Sequence, residues 1–174
     1  MPESTQPSSF LRDIVETVVF AFVVALLIRT FVFESFIVLG PSMQPELHDG
    51  ERLFLNKAIY HLRAPRPGEV IVFQYPLNPS KDYIKRVIAV GGQRVAIRSG
   101  VIYINGQPVV ENHPMVAQKS DYPETVIPPG TVFVLGDNRP NSEDSRSFGV
   151  VPLRNVKGKA FLLYWPPDQI KLIR

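Results

Sequence analysis

The stretch Phe36–Leu47, FIVLGPSMQPEL, divides the chain into two unlike parts. Before it runs FLRDIVETVVFAFVVALLIRTFVFES, which from Thr17 to Ile28 is apolar on every side of a helix; after it come short runs rich in Val, Ile, Phe and Tyr, broken by Pro and Gly. Within it a single serine, Ser42, stands between Gly40-Pro41 and Met43-Gln44-Pro45. Glycine admits unusual φ, proline fixes φ, and serine is a common turn residue, so the stretch alone reads as a stiff surface turn. The other reading is a hydroxyl held still for chemistry, and that needs a base elsewhere in the chain.

A chain of 174 residues has room for one domain with a sizeable core, or for one domain and a membrane segment. The net charge of +3 comes from scattered Lys and Arg with no basic run, which argues against a nucleic-acid partner. Without cysteine there is no disulfide framework, thiol nucleophile or thiolate metal site. His48, His61 and His113 lie far apart, show no metal-ligand spacing and read as loop residues, so no metal or other cofactor is expected.

Upstream, residues 1–9 read as a flexible polar tail. From Thr17 to Ile28 nothing is charged, a stretch shorter than the ~20 residues of a bilayer span. Extended over residues 10–29 it becomes a single transmembrane anchor, with Arg12 and Glu16 four apart and able to pair. A cleaved leader would need small residues after the apolar core, where Arg29-Thr30-Phe31-Val32-Phe33 stand instead, so a retained anchor is expected. The mixed flanking charges leave its orientation open.

Downstream, residues 30–174 read as a β-rich domain. Expected strands are Arg52–Asn56, Glu69–Tyr75, Tyr83–Val90, Arg94–Arg98, Val101–Ile104, Val109–Glu111, Thr131–Leu135 and Lys159–Trp165. Asn105-Gly106 predicts a two-residue type I′ hairpin turn. The polar, proline-bearing segment Glu111–Pro129 reads as an excursion, within a small cap over about 91–130.

In DYIKRVIAVGG, period-two alternation puts Lys85 on one strand face with Tyr83, Val87 and Ala89. Such a lysine either snorkels outward or is buried for a purpose. Burial disfavours the charged form, and bringing an amine from its usual ~10.4 to 7 or 8 takes about 3 to 4 kcal/mol. A neutral amine can take the proton of a serine hydroxyl. A Ser-His-Asp triad is the competing arrangement, but no local pattern points a histidine at Ser42. A third stretch, VFVLGDNRPNSEDSRSFG, concentrates hydrogen-bonding groups after Leu135. It reads as a solvated ion-pair loop or a site support; as a calcium loop it fails at the third, sixth and twelfth positions, Arg139, Ser142 and Phe148.

Taken in order, the anchor, Gly-Pro-Ser-Met-x-Pro-x-Leu, Arg-Pro-Gly-Glu-Val-Ile-Val-Phe, Tyr-Ile-Lys-Arg-Val and Gly-Asp-Asn-Arg-x-Asn-Ser-x-Asp-Ser-Arg make the chain resemble the bacterial type I signal peptidases, from the anchor to about Trp165. The resemblance implies an antiparallel β-sheet catalytic domain behind one transmembrane helix. It implies Ser42 as nucleophile, Lys85 as general base and Ser142 as the hydroxyl orienting the amine. Asp137, Arg139, Asp144 and Arg146 would brace the site through ion pairs, with Arg86 partnering an aspartate. Phe36, Val38, Met43, Leu47 and Ile84 would line shallow pockets for small residues at −1 and −3. It further implies a cell-membrane location, N-terminus cytoplasmic and catalytic domain on the trans side. Signal peptides of exported preproteins are the implied substrates, with membrane lipid and the secretion translocon as surroundings.

Two positions depart from the family pattern. Gly40 stands where many members carry Ser or Thr, leaving oxyanion stabilisation to backbone N–H groups, chiefly that of Ser42. Glu46 replaces the usual threonine of the turn. The rival readings are a self-cleaving repressor of the SOS type, which would call for an N-terminal DNA-binding domain, and a membrane-tethered β-domain that binds exported peptides without cutting them.

Overall fold

The computed structural model describes residues 7–173; the side chains of residues 7–9 and 27–31 are also outside the described set, as is most of the tail expected over residues 1–9. One helix, α1 (Pro7–Phe31), precedes a mainly β chain. The strands are β1 (Phe33–Ile37), β2 (Arg52–Asn56), β3 (Val70–Gln74), β4 (Asp82–Val90), β5 (Arg94–Arg98), β6 (Val101–Ile104), β7 (Gln107–Pro108), β8 (Tyr122–Val126), β9 (Thr131–Leu135), β10 (Val151–Pro152), β11 (Val156–Trp165) and β12 (Lys171–Leu172).

The larger sheet runs β1-β2-β11-β3-β4-β9-β10 with β12 on β11, and the smaller runs β7-β6-β5-β8. All pairings within the two sheets are antiparallel. Strand β4 lies between β3 and β9, so both its edges are bonded and it is buried from Ile84 to Ala89. This central position decides the environment of Lys85, which faces Ile71 across the ladder.

Three apolar clusters hold the domain. Val38, Met43, Leu47, Leu55, Val72 and Ile84 form part of one; Ile71, Phe73, Val87, Val132 and Val134 belong to a second. A third, with Ile88, Ala89, Val95, Ile97 and Phe133, joins the two sheets. Full burial of such side chains stabilises by roughly 1.5–3 kcal/mol each.

Several expectations need correction. The register of β4 shifts between Val87 and Ala89, so the simple alternation breaks there and Ala89 joins the cluster between the sheets while Val87 packs with Ile71. Asn105 and Gly106 both take positive φ, 52° and 79°, as the type I′ turn requires. The returning strand is Gln107–Pro108 and not Val109–Glu111, although the Val109 N–H still donates to the Ile102 carbonyl at 2.9 Å. The segment Glu111–Pro129 is not all excursion, since β8 pairs with β5 and the Tyr122 ring packs 5.1 Å from Phe133. Apolar residues on one side of a short polar run leave β8 with little sequence signal.

Helix α1 exposes nearly every described side chain, including Phe10, Phe20 and Phe22. Among the described residues no helix is long and apolar enough to cross a membrane. Arg12, Asp13 and Glu16 interrupt the apolar run near its start, Arg12 donating to Glu16 at 2.8 Å.

Candidate active site

The turn carrying Ser42 is an outgrowth of β1. After that strand, Val38 and Glu51 still exchange a backbone hydrogen bond of 2.8 Å, and Gly40 at φ +83° swings the chain away. The Gly40 N–H is committed to Asp49 Oδ1 at 2.6 Å. Two further bonds tighten the turn, Gln44 N–H to the Pro41 carbonyl (3.1 Å) and Leu47 N–H to the Met43 carbonyl (2.9 Å). Asn138 pins it from the other side: its N–H donates to the Ser42 carbonyl (3.0 Å) and its Nδ2 to that of Pro41 (3.1 Å).

Lys85 does not snorkel. It is 4% exposed, and its Nζ donates to Ser42 Oγ at 2.7 Å and to the Ile84 carbonyl at 2.9 Å, with the Tyr83 ring centroid 5.2 Å away. Burial drives its amine down to about 8, against the opposing pull of the Asp144, Glu143 and Asp137 carboxylates. Near neutrality a minor fraction of the amine is therefore unprotonated, within 2.7 Å of the serine hydroxyl.

The polar loop after β9 is folded by ion pairs, with Asp137, Arg139 and Asp144 buried and Asn141 and Glu143 exposed. Arg86 Nε and Nη2 donate to Asp137 Oδ1 and Oδ2 at 2.9 and 2.7 Å, both residues being buried. Burial alone would raise the Asp137 carboxyl, but these bonds outweigh it and hold it below the usual range. Asp144 takes Arg146 through both oxygens (2.8 and 2.9 Å) and accepts the Gly136 N–H at 3.1 Å. Arg139 pairs not with an aspartate but with Glu111, through two guanidinium nitrogens, while its Nε reaches the Gly136 carbonyl at 3.0 Å. The Ser142 hydroxyl is buried without a hydrogen-bond partner. It flanks Gly136, where an added Cβ would come within 2.5 Å of the Ser42 carbonyl and 2.6 Å of Ser142 Cβ.

A cleft of about 650 Å³ opens over Ser42 and Lys85. Phe36 and Ile84 line it, while Val38, Met43 and Leu47 are buried in the core outside that lining. Leu39, Tyr83 and Glu143 line it without having been singled out. Asn138, Glu111 and Glu143 were all missed as supports. Glu111 sits 28 residues from its arginine, and no local pattern announces such a pairing. His113 is no free loop residue either: its Nε2 lies 3.3 Å from Asp137 Oδ1 and 3.6 Å from Glu111 Oε1. No group of His, Cys, Asp or Glu among the described residues is arranged to hold a metal ion.

A hydroxyl and a buried amine in contact, with no histidine between them, form an arrangement suited to hydrolysis of the Ser-Lys type. The profile of the signal peptidase, peptidase S26, family matches residues 11–165. The chain is 37% identical over 170 residues to a probable signal peptidase I-1 of Synechocystis sp., covering 94% of this chain and 87% of that protein. It is 40% identical over 182 residues to a signal peptidase I of Leptolyngbya laminosa, with coverage of 97% and 88%. A crystal structure of a signal peptidase I from Enterococcus faecalis is 32% identical, with a TM-score of 0.49 over 56% of this chain and 97% of that one. The chain belongs to the signal peptidase family.

Proposed function

We propose that in this signal peptidase, which removes signal peptides as a serine endopeptidase, Ser42 is the nucleophile and Lys85 the general base. The observation that carries the assignment is the 2.7 Å contact between a buried amine whose proton affinity is lowered by burial and the one hydroxyl presented by the stiff turn. Neutral Lys85 takes the Ser42 proton as Oγ attacks the scissile carbonyl; the C–N bond then breaks, the leaving amine takes that proton, and an acyl-enzyme remains. Lys85, neutral again, deprotonates the water that releases the acyl group. Ser42 Oγ in the ester no longer offers the amine its hydroxyl, and the unpaired Ser142 hydroxyl beyond Gly136 is suited to orient the amine in its place. Since the Gly40 N–H is taken by Asp49 and residue 40 has no hydroxyl, oxyanion stabilisation falls to the Ser42 N–H. Asp137, Arg139, Asp144, Arg146 and Arg86 act as braces.

The substrates carry small residues at −1 and −3, of the Ala-x-Ala kind, seated against Phe36 and Ile84 over the core formed by Val38, Met43 and Leu47. Helix α1 anchors the chain in the cell membrane, with the N-terminus cytoplasmic, the catalytic domain on the trans side and the translocon nearby. Its apolar side chains, exposed on all sides, support lipid contact. A tether that binds without cutting has no use for a buried amine against a hydroxyl.

The test is to incubate detergent-solubilised wild type, Ser42→Ala and Lys85→Ala with a preprotein bearing an Ala-x-Ala site and to read product masses. One cut after the second alanine, lost in both variants, is expected. Near-wild-type turnover by Lys85→Ala would remove the role given to it.

A further inference from the structure

Glu143 follows Ser142 in the loop and stands in the wall of the cleft. Its two carboxylate oxygens are each claimed by a phenol: Tyr75 donates to Oε1 at 2.6 Å and Tyr83 to Oε2 at 2.7 Å. The two phenol rings stack at 4.4 Å and 10°, with Phe148 edge-on against Tyr75 at 5.4 Å, so the clamp is itself packed. The same Tyr83 ring lies 5.2 Å from Lys85 Nζ.

The other carboxylates around the amine are already neutralised by cations. Asp137 holds Arg86, Asp144 holds Arg146, and Asp82 holds Lys157 at 2.6 Å. Among the described residues Glu143 forms no ion pair, although the charge of Lys81 also acts on it.

We propose that Glu143 is a positioning residue of the Ser42–Lys85 site: clamped by Tyr75 and Tyr83, it sets the Tyr83 ring beside the lysine amine and fixes at the cleft wall a negative charge, held by phenols and not by a cation, that opposes deprotonation of that amine. This rests on the assignment of Lys85 as the base. The hydrogen bonds from Tyr75 and Tyr83 keep the Glu143 carboxyl below the usual range and therefore ionised, while burial and Glu143 push the Tyr83 phenol up to about 12 and keep it a donor. Glu143 stands second, after the ion-paired Asp144, among the carboxylates that resist the lowering of Lys85 by burial. Burial and this charge thus pull in opposite directions, and their difference sets where on the pH scale the base becomes active.

The sign follows directly. Only neutral Lys85 acts, so the rate rises with pH through its titration, and removing a nearby negative charge moves that rise to lower pH. Glu143→Gln removes the charge and keeps an oxygen that accepts from a phenol. In detergent-solubilised enzyme the acid limb of the kcat/KM profile is expected to move down by about half a unit, a roughly three-fold gain on the limb relative to the plateau. An unmoved limb, including one with a uniform loss of rate, overturns the proposal, because a purely structural clamp lowers activity without displacing the profile. Wild type alone gives a second reading: salt screens a partly exposed charge more than buried pairs, so the limb should move down between low and high salt, and a limb indifferent to salt overturns the proposal even where Glu143→Gln does not fold. Lys85→Ala measured alongside separates the two ideas. Turnover there removes the base assignment itself, whereas an inactive Lys85→Ala with an unmoved Glu143→Gln limb removes only the role of Glu143.

Discussion

Replacing Lys85 by methionine, which fills a similar volume without a charge, should abolish turnover and at neutral pH make the protein more stable. The amine is held at about 8 in the folded chain against 10.5 when unperturbed. At ~1.36 kcal/mol per unit, keeping it in the fold costs about 3 kcal/mol at pH 7. Methionine also forfeits the bonds to Ser42 Oγ and the Ile84 carbonyl, each worth about 1 kcal/mol, so the net gain at pH 7 is about 1 kcal/mol. Between pH 8 and 10.5 the folded wild type binds fewer protons at this site than the unfolded chain, so its stability rises with pH through that window. Above it the penalty has gone and the variant, lacking the two bonds, becomes the less stable by about 2 kcal/mol. The assay is urea unfolding of the detergent-solubilised pair by circular dichroism at pH 7 and above pH 10, compared as a difference. A difference between the two proteins that stays constant across that range would refute the reasoning, for it would mean that the amine titrates alike in both states.

Two further outcomes follow from the loop. Asp137→Asn removes the carboxylate charge that two guanidinium nitrogens of buried Arg86 meet and should cost about 3–5 kcal/mol in the same unfolding measurement. Gly136→Ala drives a methyl group between the Ser42 carbonyl and Ser142, so turnover should fall more than ten-fold with a stability loss of only about 1–3 kcal/mol, read from kcat and the unfolding midpoint together.

The strands that the sequence marked best are those whose side chains are locally sufficient to announce them. Arg52–Asn56, Arg94–Arg98, Val101–Ile104 and Thr131–Leu135 are β-branched or apolar runs closed by turn residues, and each forms as expected. What could not be read was set at a distance. Strand β8 exists because β5 offers it an edge, the bulge after Val87 because β9 imposes its register, and the Arg139–Glu111 pair because the chain returns across the loop. In the same way Ser42 and Lys85 were visible as a stiff turn and an odd lysine, but their meeting depends on β4 lying inside the sheet. Val38, Met43 and Leu47 lie in the core beneath the cleft, since apolar residues beside Ser42 are as fit for the core as for a pocket.

Burial by itself does not mark Lys85 as the reactive group, since Glu69, Arg86, Asp137, Arg139 and Asp144 are buried as well. The difference lies in pairing. Each of those five sits in an ion pair within 4.0 Å, and among the described residues Lys85 sits in none. An unpaired buried charge is costly enough that the group gives up its proton more readily, whereas a paired one keeps its charge and serves as a brace. In the role proposed for Lys85, the fold favours a base by withholding an ion pair: Asp137 and Asp144 are spent on Arg86 and Arg146, Glu143 is held by two phenols, and the amine is left with a hydroxyl and a carbonyl, neither of which can stabilise its charge as an anion would. Supplying a partner should undo this. An aspartate at Ile71, directly across the ladder from Lys85, would put a carboxylate within reach of the amine, raise its proton affinity and carry the acid limb of the rate profile to higher pH.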